Sequence, residues 1–323
     1  MESRELGRTG IGVSRIALGC GGFGGVGSAP AFFGKGESER EACDLMDAAF
    51  DLEITLFDTA DAYGGGRSES AIGVWLRSKP ASVRERVVLT TKVFHSVVGD
   101  PNDRGLRGDR IRRQIEGSLT RLGVERVDLY MIHEPDPSTP VDETLEALDG
   151  LVQAGKIAAY GACNVDGAYL ERAGWKFACV QNGYSLLDRA AEMDVLPACK
   201  RSRAGFTAFS PLAGGWLTGK YIGGQTPAGS RMTLRPEGYR RYENVRVYRA
   251  LERFVDFARE HRTTPAALAI AWLLAQPQVD AVIVGPRRTE HLEPVRQALA
   301  SPLTATECDA LAALFAGALS DRD

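Results

Sequence analysis

Apolar residues in this chain fall into short dense runs separated by longer stretches in which they recur at helical spacing. Eight such runs stand out: "SRIALGC", "ITLFD", "RVVLTTK", "RVDLYMIH", "IAAYGAC", "FACVQ", "FTAFS" and "DAVIVG". They are rich in Val, Ile, Leu and Phe and lack strict alternation, as strands buried on both faces should. Between them lie amphipathic segments. Ser38 and Glu41 form a capping box, followed by Ala42, Leu45, Met46, Ala49 and Phe50 on one helical stripe. Pro140 opens another helix, "VDETLEALDGLVQAGK", with Gly155 near its end. Repeated βα units of this number predict a (β/α)8 barrel, the TIM-barrel architecture, with its site at the C-terminal ends of the strands. An open, doubly wound sheet fits the alternation too, because alternation does not show closure. No break in composition divides the chain, so residues 1–323 read as one domain.

Two regions exceed a minimal barrel. Residues 2–13 carry a turn signal at Thr9-Gly10 and predict an N-terminal β-hairpin plugging the barrel bottom. Residues 215–262 hold a long polar loop and an extra helix, an insertion between the seventh and eighth strands.

The stretch "GCGGFG" matches a dinucleotide fingerprint at Gly19, Gly21 and Gly24 directly after a strand. That fingerprint requires a helix opening at the turn to hold a pyrophosphate. Here more glycine and a proline follow, and the next helix signal comes only at Ser38. A loop over the barrel mouth is the better reading.

Composition narrows the class. A net charge of −3 gives no reason to expect nucleic acid or an acidic membrane surface as a partner. There is neither a run of transmembrane length nor an apolar secretory core at the N-terminus. Six cysteines without a C-x-x-C pair fit free thiols in a reducing cytoplasm. The expected location is therefore cytoplasmic; the oligomeric state is left open.

Three predicted strands end on polar groups: Asp58, Lys92 and His133, with Tyr63 on the loop beyond Asp58. Singly, each has a bland explanation as a cap, a solvated charge or a satisfied core residue. Together, in adjacent βα units, they converge on one barrel mouth, and a buried Asp or Lys without a partner is costly. A phenol is a poor acid at neutral pH, and a neighbouring ammonium favours its phenolate. Asp58 would keep Lys92 charged, Tyr63 would donate a proton to a developing alkoxide, and His133 would orient a carbonyl. No metal-ligand spacing and no nucleophile is visible, so the attacking species is expected to be a cofactor hydride.

The motifs "LGRTGIGVSRIALG", "FDTADAYGGGRSESAIG", "LTTK", "RVDLYMIHEPD", "GKIAAYGACN", "VQNGYSLLDR", "FSPLAGGWLTGKY" and "VIVGPRRTEHL", in that order, resemble the aldo-keto reductase family almost end to end. The resemblance implies a barrel that binds NADPH without a Rossmann fold, NADH being the alternative, and a small-molecule carbonyl substrate. It implies Asp58, Tyr63, Lys92 and His133 as the catalytic tetrad. It further implies that Asn164 and Gln181 hold the carboxamide and Phe209 stacks on the nicotinamide. Ser210, Leu212 and Gly214 then approach the pyrophosphate. The loop with Gly285, Arg287, Arg288 and His291 takes the adenosine end. Paired arginines at a helix start suit a 2′-phosphate.

Two departures bear on the cofactor. Cys163 stands where the family often has Ser, and a thiol is the weaker donor. Pro294 and Val295 replace a common Glu-Asn pair that holds adenine, and Pro294 places the proline in the first turn of a late-starting helix. For the substrate, Phe23, Phe32, Phe33, Phe94, His95 and Trp216 lie on loops near the predicted mouth and would wall a pocket for an apolar carbonyl. The polar stretch "VVGDPNDRGLRGDR" would instead meet a hydroxylated one. An NAD-dependent sugar or alcohol dehydrogenase and a non-enzymatic, cofactor-sensing regulatory subunit are the competing readings.

Overall fold

The computed structural model describes residues 1–319. Strands β1 (Ser3–Glu5) and β2 (Gly12–Ser14) form an antiparallel hairpin. Eight parallel strands follow: β3 (Ile16–Gly19), β4 (Leu56–Asp58), β5 (Val88–Val93), β6 (Val127–Ile132), β7 (Ile157–Cys163), β8 (Cys179–Gly183), β9 (Gly205–Phe209) and β10 (Ala281–Val284). They close on themselves in the order β10-β3-β4-β5-β6-β7-β8-β9. Pairing of β10 with both β3 and β9 excludes the open sheet that alternation alone permits.

The two faces of these strands do different work. Ala17, Leu56, Leu129, Met131, Cys163, Cys179, Ala281 and Ile283 pack together with Leu6 and Val13 of the hairpin. The hairpin thus covers the bottom of the barrel with apolar side chains, as its sequence predicts. Ile16, Leu18, Phe57, Tyr130 and Val180 instead join the larger core shared with the surrounding helices. Burial on both faces explains why the strand sequences lack polar alternation.

Helix boundaries follow local chemistry. Ser38 caps the helix Glu39–Asp51 through the Glu41 amide, and the Glu41 side chain returns to the Ser38 amide. Such a cap is worth about 1 kcal/mol. The helix therefore opens well beyond Gly24, and the glycine-rich segment between β3 and that helix is a loop. The insertion after β9 contains 3-10 turns and the helix Val245–Glu260, ahead of the Pro265–Leu274 helix that precedes β10. Pro294 occupies the first turn of the helix Glu293–Ala300, where its missing N–H costs no intrahelical bond. No helix among the described residues is long and apolar enough to cross a membrane.

Candidate active site

The register of the barrel sets the site. Gly19 pairs with Asp58, Asp58 with Thr90, and Lys92 with Met131, so the carboxylate and the ammonium emerge from neighbouring strands at one end. Lys92 Nζ donates to Asp58 Oδ2 at 2.7 Å and to the Thr59 carbonyl at 2.9 Å. Both side chains are buried. The second Asp58 oxygen, Oδ1, accepts from Gln181 Nε2 at 2.8 Å. The carboxylate is thus held from two directions, and the pair meets the condition for tolerating buried charge.

Tyr63 lies on a 3-10 turn one loop beyond β4. The Lys92 ammonium sits 5.2 Å from the centre of its ring. Its hydroxyl is 3.4 Å from His133 Nε2, and the two rings meet edge to face at 5.4 Å. His133 follows the last residue of β6, with its amide bonded to the Val93 carbonyl and its own carbonyl accepting from Asn164 Nδ2 at 3.0 Å. Two glycine positions make this placement achievable. A Cβ on Gly21 would lie 3.5 Å from the Tyr63 ring, so the glycine loop forms the surface on which the ring rests. Gly64, at φ +60°, lies so close to Gly24 that a Cβ would approach its backbone to 2.8 Å. The glycines that imitate a dinucleotide fingerprint thus serve to pack one loop against the tyrosine loop.

Electrostatics depart from the sequence expectation at one point. A neighbouring ammonium alone would lower the Tyr63 pKa, but burial is the larger effect and, with Asp58 adding to it, pushes the phenol up to about 12 despite Lys92. Burial pulls the Lys92 ammonium down, yet Asp58, Tyr63 and Cys163 outweigh it and its pKa ends raised. Burial, then Lys92 and His95, hold His133 well below the ordinary histidine range. At neutral pH the resting site therefore contains a protonated phenol, an ammonium and a neutral imidazole. Nδ1 of His133 is buried without a hydrogen-bond partner. The tautomer with its proton on Nε2 leaves only that acceptor unpaired and aims a donor at the Tyr63 side.

The residues expected to hold a nicotinamide dinucleotide fall into two groups. Gln181 and Asn164 are joined to the tetrad by the bonds above; Gln181 Oε1 also accepts from the Cys163 thiol at 3.5 Å. Phe209 is half-buried at the end of β9, beside Gly183. Beyond it Ser210, Ala213, Gly214 and Gly215 all have positive φ, and Asn164 does too. Left-handed backbone at non-glycine residues is strained and clusters at functional loops. Turns of this kind present backbone N–H groups to phosphates. An amide pair beside Asp58 and His133, an aromatic face and such a loop are groups that would suit a nicotinamide dinucleotide. In the second group, Gly285, Arg287, Arg288 and His291 occupy the exposed loop and 3-10 turn after β10. The Arg287 amide donates to His291 Nδ1 at 3.2 Å, and its guanidinium Nε to Glu37 Oε1 at 2.9 Å.

The substrate expectations fare unevenly. Phe23 and Trp216 are each 1% exposed and belong to the core, so neither walls an open pocket. Trp216 is surrounded by Tyr221, Tyr242 and Tyr248, with ring centres 5.0–5.7 Å away, and centres an aromatic cluster within the insertion. Phe94 is buried edge-on to His95, while Phe32 and Phe33 are half-buried on the glycine loop. His95 stays partly exposed, 4.8 Å from His133 between ring centres and 3.3 Å from Glu134 Oε1. Glu37, Glu134 and the Gln181–Asp58 bond were not singled out by sequence. Only the strand-end position of Gln181 offered any signal.

Comparison with known proteins agrees with this geometry. The model of the aldo/keto reductase family matches residues 15–316. An oxidoreductase of Bacillus subtilis named YrpG is 40% identical over 309 residues, covering 90% of this chain and 89% of that protein. An NADH-specific methylglyoxal reductase of Escherichia coli is 33% identical, covering 90% and 91%. A probable voltage-gated potassium channel subunit beta of Oryza sativa is also 33% identical, covering 90% and 89%. With a match of this extent, the chain belongs to the aldo/keto reductase family and is a nicotinamide-dependent oxidoreductase.

Proposed function

We propose that this chain reduces an aldehyde or ketone to the alcohol using NADPH, with Tyr63 as the proton donor. The observation that carries the reading is the Tyr63 hydroxyl at 3.4 Å from His133 Nε2, beside a lysine fixed by a buried carboxylate. A carbonyl oxygen placed between these two groups meets a neutral imidazole donor and a protonated phenol. When bound, the nicotinamide dinucleotide supplies the hydride. Tyr63 then gives its proton to the oxygen as negative charge develops, and the Lys92 ammonium stabilises the phenolate left behind. Asn164, bonded to the His133 carbonyl, keeps the imidazole in position, and Gln181 braces Asp58.

Loss of reduced-nicotinamide absorbance across a panel of aldehydes and ketones tests this. Turnover on at least one carbonyl class is expected. Trace turnover throughout, with tight cofactor retention, would favour a cofactor-sensing regulatory subunit, and relatives are named as probable voltage-gated potassium channel subunits beta.

The pKa directions give a second expectation. His133 is neutral above its depressed pKa, so kcat/KM for reduction carries no limb near the ordinary histidine value of about 6.5. Tyr63 remains protonated until pH passes about 12, so reduction is not lost at the ordinary phenol value of about 10. A flat profile from about pH 7 to about pH 10 is expected in a pH-rate measurement under steady-state conditions. A descending limb within that window would overturn the assignment of a burial-raised Tyr63 as the acid.

A further inference from the structure

The loop after β10 would meet a 2′-phosphate with Arg287 and Arg288, yet Arg287 is already engaged. Its Nε lies 2.9 Å from Glu37 Oε1. The guanidinium is about half exposed, whereas the Glu37 side chain is only 4% exposed. This carboxylate is built into the fold. The Glu37 amide donates to the Gly22 carbonyl at 2.9 Å, and the Gly24 amide donates to the Glu37 carbonyl at 2.8 Å. A Cβ on Gly22 would lie 2.1 Å from Glu37 Oε2, so the glycine loop is wrapped around the acid. That second oxygen is buried without a hydrogen-bond partner.

A buried carboxylate with one unpaired oxygen depends on the charge of its partner. Arg287 is the group in ion-pair contact with Glu37 among the described residues. A second acid, Glu41, feels the same arginines: hydrogen bonds from Ser38 hold it below the usual carboxylate range, with smaller contributions from Arg287 and Arg288. No hydrogen bond or ion pair of the Arg288 side chain is found among the described residues.

We infer that Glu37 sets the choice between NADPH and NADH by occupying Arg287, so that a 2′-phosphate must compete with it. The inference rests on the reading that the loop after β10 holds the adenosine end. NADH, with a 2′-hydroxyl, asks nothing of Arg287 and loses nothing to Glu37. NADPH must either draw Arg287 away and leave a buried carboxylate uncompensated, or bind through Arg288 alone. The protein then uses NADPH but favours it over NADH only weakly, in spite of its paired arginines. Neutralising Glu37 frees Arg287 for a charge-assisted bond to the phosphate.

Dissociation constants of both cofactors, measured by quenching of tryptophan fluorescence without substrate, test this on the full chain. In the wild type the two constants are expected within about threefold of each other. Glu37→Gln should tighten NADPH by about tenfold and leave NADH within about twofold, the ratio expected from one added charged bond to phosphate. Adding Arg287→Ala to that variant should erase the gain. If Glu37→Gln fails to fold, Glu37→Met keeps similar volume without charge and carries the same expectation. A parallel change in both constants, or an unchanged ratio in a protein that binds both, would overturn the inference alone. A wild type that binds neither cofactor would overturn the functional reading and this inference with it.

Discussion

Tyr63→Phe is expected to lower kcat/KM for carbonyl reduction by about 10²- to 10⁴-fold, the span associated with a positioned general acid. The substitution removes one oxygen and little else. The ring still rests on Gly21 and still lies under the Lys92 ammonium, contacts that do not involve the hydroxyl. The hydroxyl gives up a long hydrogen bond to His133 at 3.4 Å and its interaction with the Lys92 ammonium, so folding stability should change by about 1 kcal/mol. Cofactor affinity should remain within about twofold, because the residues read as carboxamide ligands, Asn164 and Gln181, are tied to His133 and Asp58 rather than to Tyr63. Steady-state kinetics together with fluorescence titration of cofactor separate these effects. Retention of more than about a tenth of wild-type turnover would move the proton donor elsewhere, with His133 the next group in line. Loss of cofactor binding in step with turnover would mean that Tyr63 supports the site rather than donating within it.

How much of this was legible in sequence differs from residue to residue. Strands buried on both faces announce themselves by composition, and a strand ending on Asp58 or Lys92 is anomalous enough to read as a site. The hairpin, the insertion and the late helix at Pro294 have local chemical signals, and all three lie where those signals put them. Pairings across the barrel leave no such trace. Glu37 meets Arg287 across 250 positions because closure of the sheet makes β10 and β3 neighbours. Gln181 reaches Asp58 from four strands away around the barrel, and nothing in either local sequence implies it. The pKa of Tyr63 misleads for a related reason. Adjacency to Lys92 can be guessed from two motifs, but the depth of burial that outweighs it depends on the whole mouth. Trp216 follows the same logic. An aromatic on a long loop reads as a pocket wall until Tyr221, Tyr242 and Tyr248 are seen around it.

The dependence of Lys92 on Asp58 leads to the second large effect. Asp58→Asn keeps the size of the side chain and lets an amide oxygen still face Lys92, while Gln181 can turn its own amide to match. What disappears is the counter-charge of an ammonium that is fully buried. Removing one partner of a buried pair costs about 3–5 kcal/mol, since the remaining charge keeps its desolvation penalty. For 323 residues at roughly 2.1 cal/mol/K of unfolding entropy each, that is a drop in Tm of about 4–7 °C. The sign of its pH dependence distinguishes this cause from simple mispacking. In the wild type the Lys92 pKa is raised, so its stabilisation is complete below the unfolded lysine value of about 10.4 and is lost as pH rises through the folded value. In the variant, burial without Asp58 lowers that pKa, so the penalty is complete only below the lowered folded value, fades as pH rises from there, and is gone above about 10.4. The gap in Tm between the two proteins should therefore narrow in alkali. Turnover should fall as well, because a lysine that sheds its proton can no longer stabilise the Tyr63 phenolate. A gap that stays constant from neutral pH to about pH 11 would show that Asp58 acts through packing and not through the charge on Lys92.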